Sequence, residues 1–175
     1  MSAPVRRPIG PGSHAWLAAI AAAALGAVAA ALVTQHGFDM QPCPWCVLQR
    51  VIFVAIGLVG ALGWFWRRPA GQLATGLAVS VLAGLGVAAA LWHYFVANVS
   101  ASCNLTLADR IVSGLGLDAL LPQVFAATAS CADAKVTLLG VPYPLWSLTM
   151  FVLLGTAVTL KVLLRPAEGA IAATR

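Results

Sequence analysis

The chain has 175 residues, of which 61% are hydrophobic and 9% charged, with mean hydropathy +0.93 and a formal net charge of +5. A soluble domain carries about a quarter charged residues, so the composition excludes an ordinary soluble globule and indicates a membrane protein. The positive charge does not indicate nucleic acid either, because no basic patch with interleaved aromatic residues exists.

In chain order, residues 1–13 read as a short Pro- and Gly-rich tail carrying Arg6 and Arg7. The first apolar run spans about 15–33; it is too long for the core of a secretory signal and is expected to stay as a helix. Nothing else near Arg6-Arg7 supports a twin-arginine export signal. A connection at 34–46 leads into Cys43-Pro44-Trp45-Cys46-Val47-Leu48-Gln49-Arg50 and a second run at 47–66. Arg67 and Arg68 separate it from a third run at 73–96, a long connection at 97–144 follows, and a fourth run covers 145–164 before a short tail. Each run is close to the roughly 20 residues that span the hydrocarbon core. Gly57, Gly60 and Gly63 in the second run and Gly76, Gly84 and Gly86 in the third allow close helix approach in lipid. The expectation is an all-α, integral membrane four-helix bundle, one domain over 1–175 with no internal repeat.

Basic residues set the orientation. Arg6, Arg7, Arg67, Arg68, Lys161, Arg165 and Arg175 flank one set of helix ends, whereas the other two connections hold only Arg110 and Lys135. Both termini are therefore expected in the cytoplasm. Cys43, Cys46, Cys103 and Cys131 then all fall on the far side, as an oxidising compartment permits. Four cysteines allow three pairings, and the residues alone do not choose among them. A Cys43–Cys46 bridge closes too small a loop to stabilise a fold much, which favours reactivity over stapling.

Pro42 and Pro44 mark the start of the second helix, so the first pair sits near its positive end. Arg50 follows Cys46 by four residues, on the same face. Both features favour a thiolate, the form that attacks disulfides, and Cys46 is expected to hold it more readily. Arg50 either snorkels to the surface or holds a polar partner. Covalent haem attachment needs His after the second Cys, where Val47 stands. A zinc site is disfavoured because Cys103 and Cys131 lack ribbon spacing. His36 and His93 make only one pair for b-type haem, so neither metal nor haem is expected.

The long connection carries Thr106-Leu107-Ala108-Asp109, which resembles a capping box, followed by Leu107, Ile111 and Leu115 at four-residue spacing. A short amphipathic helix on the membrane surface is one reading; an ordinary loop turn is the other. Asn98-Val99-Ser100 and Asn104-Leu105-Thr106 match glycosylation sequons, for which no glycan is expected.

The set of motifs is similar to a known family. Cys43-Pro-Trp-Cys46-x-x-Gln-Arg50 after an apolar helix, a lone Cys103, Leu121-Pro122-Gln123-Val124-Phe125 ahead of Cys131, then Leu139-Gly140 and Pro144-Leu145-Trp146, resemble the bacterial disulfide bond formation protein B (DsbB) family over nearly the whole chain. The resemblance implies a thiol:quinone oxidoreductase of the bacterial inner membrane, with its redox cysteines and long loop on the periplasmic side. By the same resemblance, Cys103 and Cys131 are the pair that oxidises a DsbA-like periplasmic thiol oxidase, with Cys103 forming the mixed disulfide. Cys43 and Cys46 pass electrons to the membrane quinone pool, ubiquinone or menaquinone. Cys46 then contacts the quinone ring, Arg50 stabilises charge on the reduced or thiolate-bound form, and His93 lies near the quinone head group. The alternatives are a disulfide-stapled structural or channel-like membrane protein, and a vitamin K epoxide reductase-like quinone reductase, although that group places its Cys-x-x-Cys near the last helix.

Overall fold

The computed structural model describes residues 15–66, 68–98 and 106–173. Cys103, Arg6, Arg7, Arg67 and most of both sequons lie outside the described residues. In chain order the protein forms α1 (Ala15–Gly37), α2 (Pro44–Phe65) and α3 (Pro69–Trp92), the last extended by a π-helical turn at His93–Ala97. The long connection holds α4 (Leu107–Gly114), α5 (Leu117–Leu120), α6 (Pro122–Phe125) and a small hairpin of β1 (Thr137–Leu138) and β2 (Val141–Pro142). The closing helix is α7 (Tyr143–Ala173). Among the described residues, four helices are long and apolar enough to cross a membrane.

Helix α2 starts at Pro44, three residues earlier than the apolar run alone indicates, with Cys43 as its cap in extended backbone (φ −88°, ψ 166°). Proline is tolerated at a first helical position because its missing N–H would have no intrahelical partner. This shift puts Cys46 inside the first turn of α2. The π turn at His93–Ala97 carries no sequence signature; such turns insert an extra residue per turn and recur at functional sites.

The bundle core is built from Ile20, Ala24 and Val28 of α1, Phe53 and Ile56 of α2, Val79 and Ala83 of α3, and Phe151, Leu154 and Val158 of α7. Phe53 and Phe151 stack with centroids 3.9 Å apart and planes at 5°. Leu62, Leu77, Val81, Leu153 and Leu163 point outward, as lipid-facing positions do. Of the expected close-approach glycines, Gly60 packs on the backbone of α1, whereas Gly84 faces open space. A Cβ on Gly86 would lie 2.4 Å from the Phe151 ring, which the Phe53 stack holds in place. Gly86→Ala is therefore expected to destabilise the bundle by about 1–3 kcal/mol, read as a lower unfolding midpoint in detergent. Equal midpoints for Gly86→Ala and Gly84→Ala would contradict this packing.

Helix α4 begins with the capping box: Thr106 Oγ1 accepts from the Asp109 N–H at 3.3 Å and the Thr106 N–H donates to Asp109 Oδ2 at 2.8 Å. Ala108 and Val112 are buried while Leu107, Ile111 and Leu115 are exposed, so α4 rests on the bundle through its small face and turns its larger apolar side chains outward. The hairpin turns at Leu139 (φ 54°) and Gly140 (φ 79°), both left-handed as a two-residue connection of this kind requires.

Candidate active site

The N-terminal end of α2 gathers the chemistry. Cys43, as the cap residue, is fully buried, and its Sγ lies 3.0 Å from Cys46 Sγ. His93, held at the π turn of α3, places Nε2 at 3.3 Å from Cys43 Sγ. Its other nitrogen, Nδ1, lies 3.3 Å from Gln49 Nε2. With that amide donating, Nδ1 accepts and Nε2 carries the proton toward sulfur. Cys131 arrives from the loop and packs in the same buried cluster as Cys43 and Trp45, with Cys46 against it. Two backbone bonds hold that segment down, from the Thr128 and Ala129 N–H groups to the Pro42 carbonyl at 3.0 and 3.3 Å. Cys43, Cys46 and Cys131 are thiols here.

Arg50 is turned inward and 5% exposed. It donates from Nη1 to Gln35 Oε1 at 2.5 Å and to the Val124 carbonyl at 3.0 Å, and from Nη2 to the Ala31 carbonyl at 3.5 Å. All three partners are neutral, and no carboxylate pairs with it among the described residues, so its charge stays uncompensated in a buried setting. The Gln35 amide also donates to the Gln123 carbonyl at 3.4 Å. Arg50 and Gln35 thus seat the loop segment containing α6 on the end of α1.

Between α1, α2 and α7 lies a chamber of about 370 Å³ whose walls include Cys46, Gln49 and Arg50. Its α1 wall is made of small side chains, Ala23, Gly26, Ala27 and Ala30, which leave the room; Thr34, Tyr143 and Trp146 line the loop end. The hydroxyls of Thr34 and Tyr143 are 3.0 Å apart. A larger apolar groove of about 920 Å³ runs between α2 and α3 with Cys131 in its wall. It holds neither Cys46 nor Arg50, so a buried charge beside a reactive sulfur points to the smaller chamber despite its size. His93 does not line this chamber; it stands beside Cys43 on the thiol side.

A model of the family described as disulfide bond formation protein DsbB matches residues 13–160. The chain belongs to the DsbB family. It is similar to disulfide bond formation protein B of Ralstonia nicotianae, 37% identical over 161 residues, covering 87% of this chain and 96% of that protein. The proteins of the same name from Dechloromonas aromatica and Burkholderia pseudomallei are 35% and 30% identical, covering 79% and 84% of this chain and 85% and 88% of theirs. This DsbB-family chain is a multi-pass membrane oxidoreductase of disulfide bond formation.

Within this DsbB-family site the three thiols do not share protons evenly. Hydrogen bonds to Cys131 and then Cys46, together with burial, push the Cys43 thiol far above its ordinary range. The Cys131 thiol is held down to about 5 by the hydrogen bond from Cys43 first, against burial, with further bonds from His93 and the Trp45 backbone N–H. That N–H belongs to the first turn of α2, one of the donors a helix start leaves unpaired. The positive helix end acts on the loop sulfur, a placement the sequence does not reveal. In the reduced protein the first thiolate is expected to form with a midpoint near 5, seen as thiolate ultraviolet absorption, and to vanish in Cys131→Ser. Because this value lies below the 9.0 of an ordinary thiol, ionised Cys131 stabilises the fold fully above about pH 9 and loses that effect as the pH falls through about 5. A first transition unchanged in Cys131→Ser would refute the assignment.

Sequence reasoning passed over Gln35 and the Thr34–Tyr143 pair. The available signal was a polar amide near the end of an otherwise apolar helix, a pattern that in membranes marks function.

Proposed function

We propose that this chain is a dithiol:quinone oxidoreductase of the bacterial inner membrane, oxidising a DsbA-like periplasmic partner and passing its electrons to ubiquinone or menaquinone. The observation that carries the reading is the order of the sulfurs: Cys43 packs in one buried cluster with Cys131 of the loop, and its sulfur lies 3.0 Å from that of Cys46, which lines the chamber. The chamber suits a quinone. The Arg50 guanidinium offers donors for a carbonyl oxygen, the Thr34 and Tyr143 hydroxyls make the same end polar, and apolar walls take the ring and the start of its tail. Three of the five Arg50 N–H groups are used among the described residues, leaving two for such an oxygen.

Disulfide exchange then runs along the chain of thiols. A partner thiolate attacks Cys103 of a Cys103–Cys131 disulfide, releasing the Cys131 thiolate. That thiolate attacks Cys43, its neighbour, and the Cys43–Cys46 bond breaks to leave Cys46 as a thiolate one helical turn from Arg50. The partner's second thiol resolves the mixed disulfide, so the partner leaves oxidised and Cys103 becomes a thiolate. Cys103 re-forms its bond to Cys131, which frees Cys43 to pair again with Cys46 as two electrons leave. A quinone supplies the acceptor for those two electrons and two protons. Such an acceptor is needed because a DsbA-type partner is itself strongly oxidising, at about −120 mV, and every 30 mV is worth about 1.4 kcal/mol.

The basic residues at the ends away from the thiols support an orientation with both termini in the cytoplasm and the loop in the periplasm. A merely stapled scaffold would have no use for a buried guanidinium without a carboxylate, which costs several kcal/mol unless a partner with developing negative charge repays it. The test is anaerobic quinone reduction by the purified full-length protein with a reduced thioredoxin-like donor. Stoichiometric quinol and oxidised donor are expected; donor oxidation with no quinol formed would contradict the reading.

A further inference from the structure

We propose that the reduced protein binds one thiophilic divalent cation of the zinc class through Cys43, Cys46 and His93, with Cys131 closing the fourth position. The sequence gives no hint of this, since the cysteine spacings match no zinc ribbon; only the fold brings the groups together. The sulfurs of Cys43 and Cys46 and a ring nitrogen of His93 all lie within 4.8 Å of one another. Tetrahedral zinc, with Zn–S about 2.3 Å and Zn–N about 2.0 Å, needs sulfurs roughly 3.8 Å apart and sulfur to nitrogen roughly 3.6 Å apart. The thiols stand at 3.0 Å and the Cys43–His93 pair at 3.3 Å, so an ion enters by spreading the ligands by less than about 1 Å. Cys131 packs in the same buried cluster as Cys43 but stands outside the 4.8 Å group, and it supplies the fourth donor by a shift of its loop.

The surroundings suit a metal as well. Cys43, His93 and Cys131 are all buried, so an ion held there is shielded from competing water. A ligating histidine must present a bare Nε2 and keep its proton on Nδ1, where a neighbour has to accept it. Gln49 meets that need by turning its amide so that Oε1 faces Nδ1, a rotation that leaves its shape unchanged. Three thiolates and a divalent cation leave one net negative charge, and the uncompensated Arg50 lies one turn along α2.

Binding moves no electrons. Each ligating thiol loses its proton to solvent, and the ion takes that proton's place on sulfur. A disulfide offers no thiolate, so the cation captures only the reduced form. It thereby competes with reoxidation of the Cys43–Cys46 pair, a consequence that rests on the relay proposed above; the binding itself does not.

The test uses the full-length protein in detergent, reduced with a phosphine and kept anaerobic, and titrated with Co²⁺ and then Zn²⁺. One equivalent of Co²⁺ with the visible bands of tetrahedral thiolate coordination is expected, displaced by Zn²⁺, and none in the oxidised protein. His93→Gln and Cys131→Ser should each weaken binding at least tenfold, whereas His36→Ala, at an exposed position, should not. Absence of the tetrahedral spectrum in the reduced wild-type protein would overturn the site, whatever the variants do. Unchanged affinity in His93→Gln or Cys131→Ser would overturn the four-ligand assignment. Quinone reduction assayed without metal reports on the relay alone, so the two failures are separable.

Discussion

Cys46→Ser is expected to lower quinone reduction by about a thousandfold or more, because serine neither ionises in this pH range nor forms the bond that carries the electrons. Cys103→Ser is expected to abolish partner oxidation to a similar degree while leaving the Cys43–Cys46 pair open to oxidation by quinone. The two variants separate because Cys46 lines the chamber beside Arg50, whereas Cys131, the proposed mate of Cys103, stands on the other side of Cys43. The measurement is quinone reactivity of the purified variants without donor, after chemical reduction. Equal loss in both variants would end the division of labour between the two pairs.

Arg50→Gln is expected to raise the Michaelis constant for quinone about 10- to 100-fold, the effect of removing hydrogen bonds from a charged donor worth about 1.5–3 kcal/mol. Gln35 Oε1 and the Val124 carbonyl lose their donor in the same variant, so some loss of stability accompanies it. Arg50→Lys keeps the charge while breaking the fork, and should retain part of the quinone affinity. A surface-snorkelling arginine would leave quinone kinetics untouched at limiting and saturating quinone alike; that result would remove the chamber's main support.

The membrane helices were legible because length and apolarity decide them: a predominantly apolar run of about 20 residues with at most one charge has little else to be. The start of α2 needed the cap as well, since Pro44 and Cys43 are not part of the apolar run yet begin the helix. The capping box of α4 was legible because Thr106 and Asp109 satisfy each other locally. Which face of α4 meets the bundle was not, because Leu107, Ile111 and Leu115 form the conspicuous stripe while the small Ala108 and Val112 fit against α2. The position of Cys131 escaped for a different reason. It depends on two backbone bonds to the Pro42 carbonyl from residues far along the chain, and no periodicity encodes such a contact. The resemblance implied His93 near a quinone head group; the π turn sets its ring against Cys43, and it also lines a small recess with Cys46 and Arg50, so its replacement is expected to slow thiol exchange as well as to weaken quinone binding.

The most direct test of the sulfur order uses wild-type protein depleted of quinone, anaerobic, mixed with a reduced donor that keeps only its attacking cysteine, then acid-quenched and mapped for disulfides. The relay predicts a donor–Cys103 bond, a Cys43–Cys131 bond and a free Cys46 thiol. An intact Cys43–Cys46 bond with Cys131 left free would contradict it.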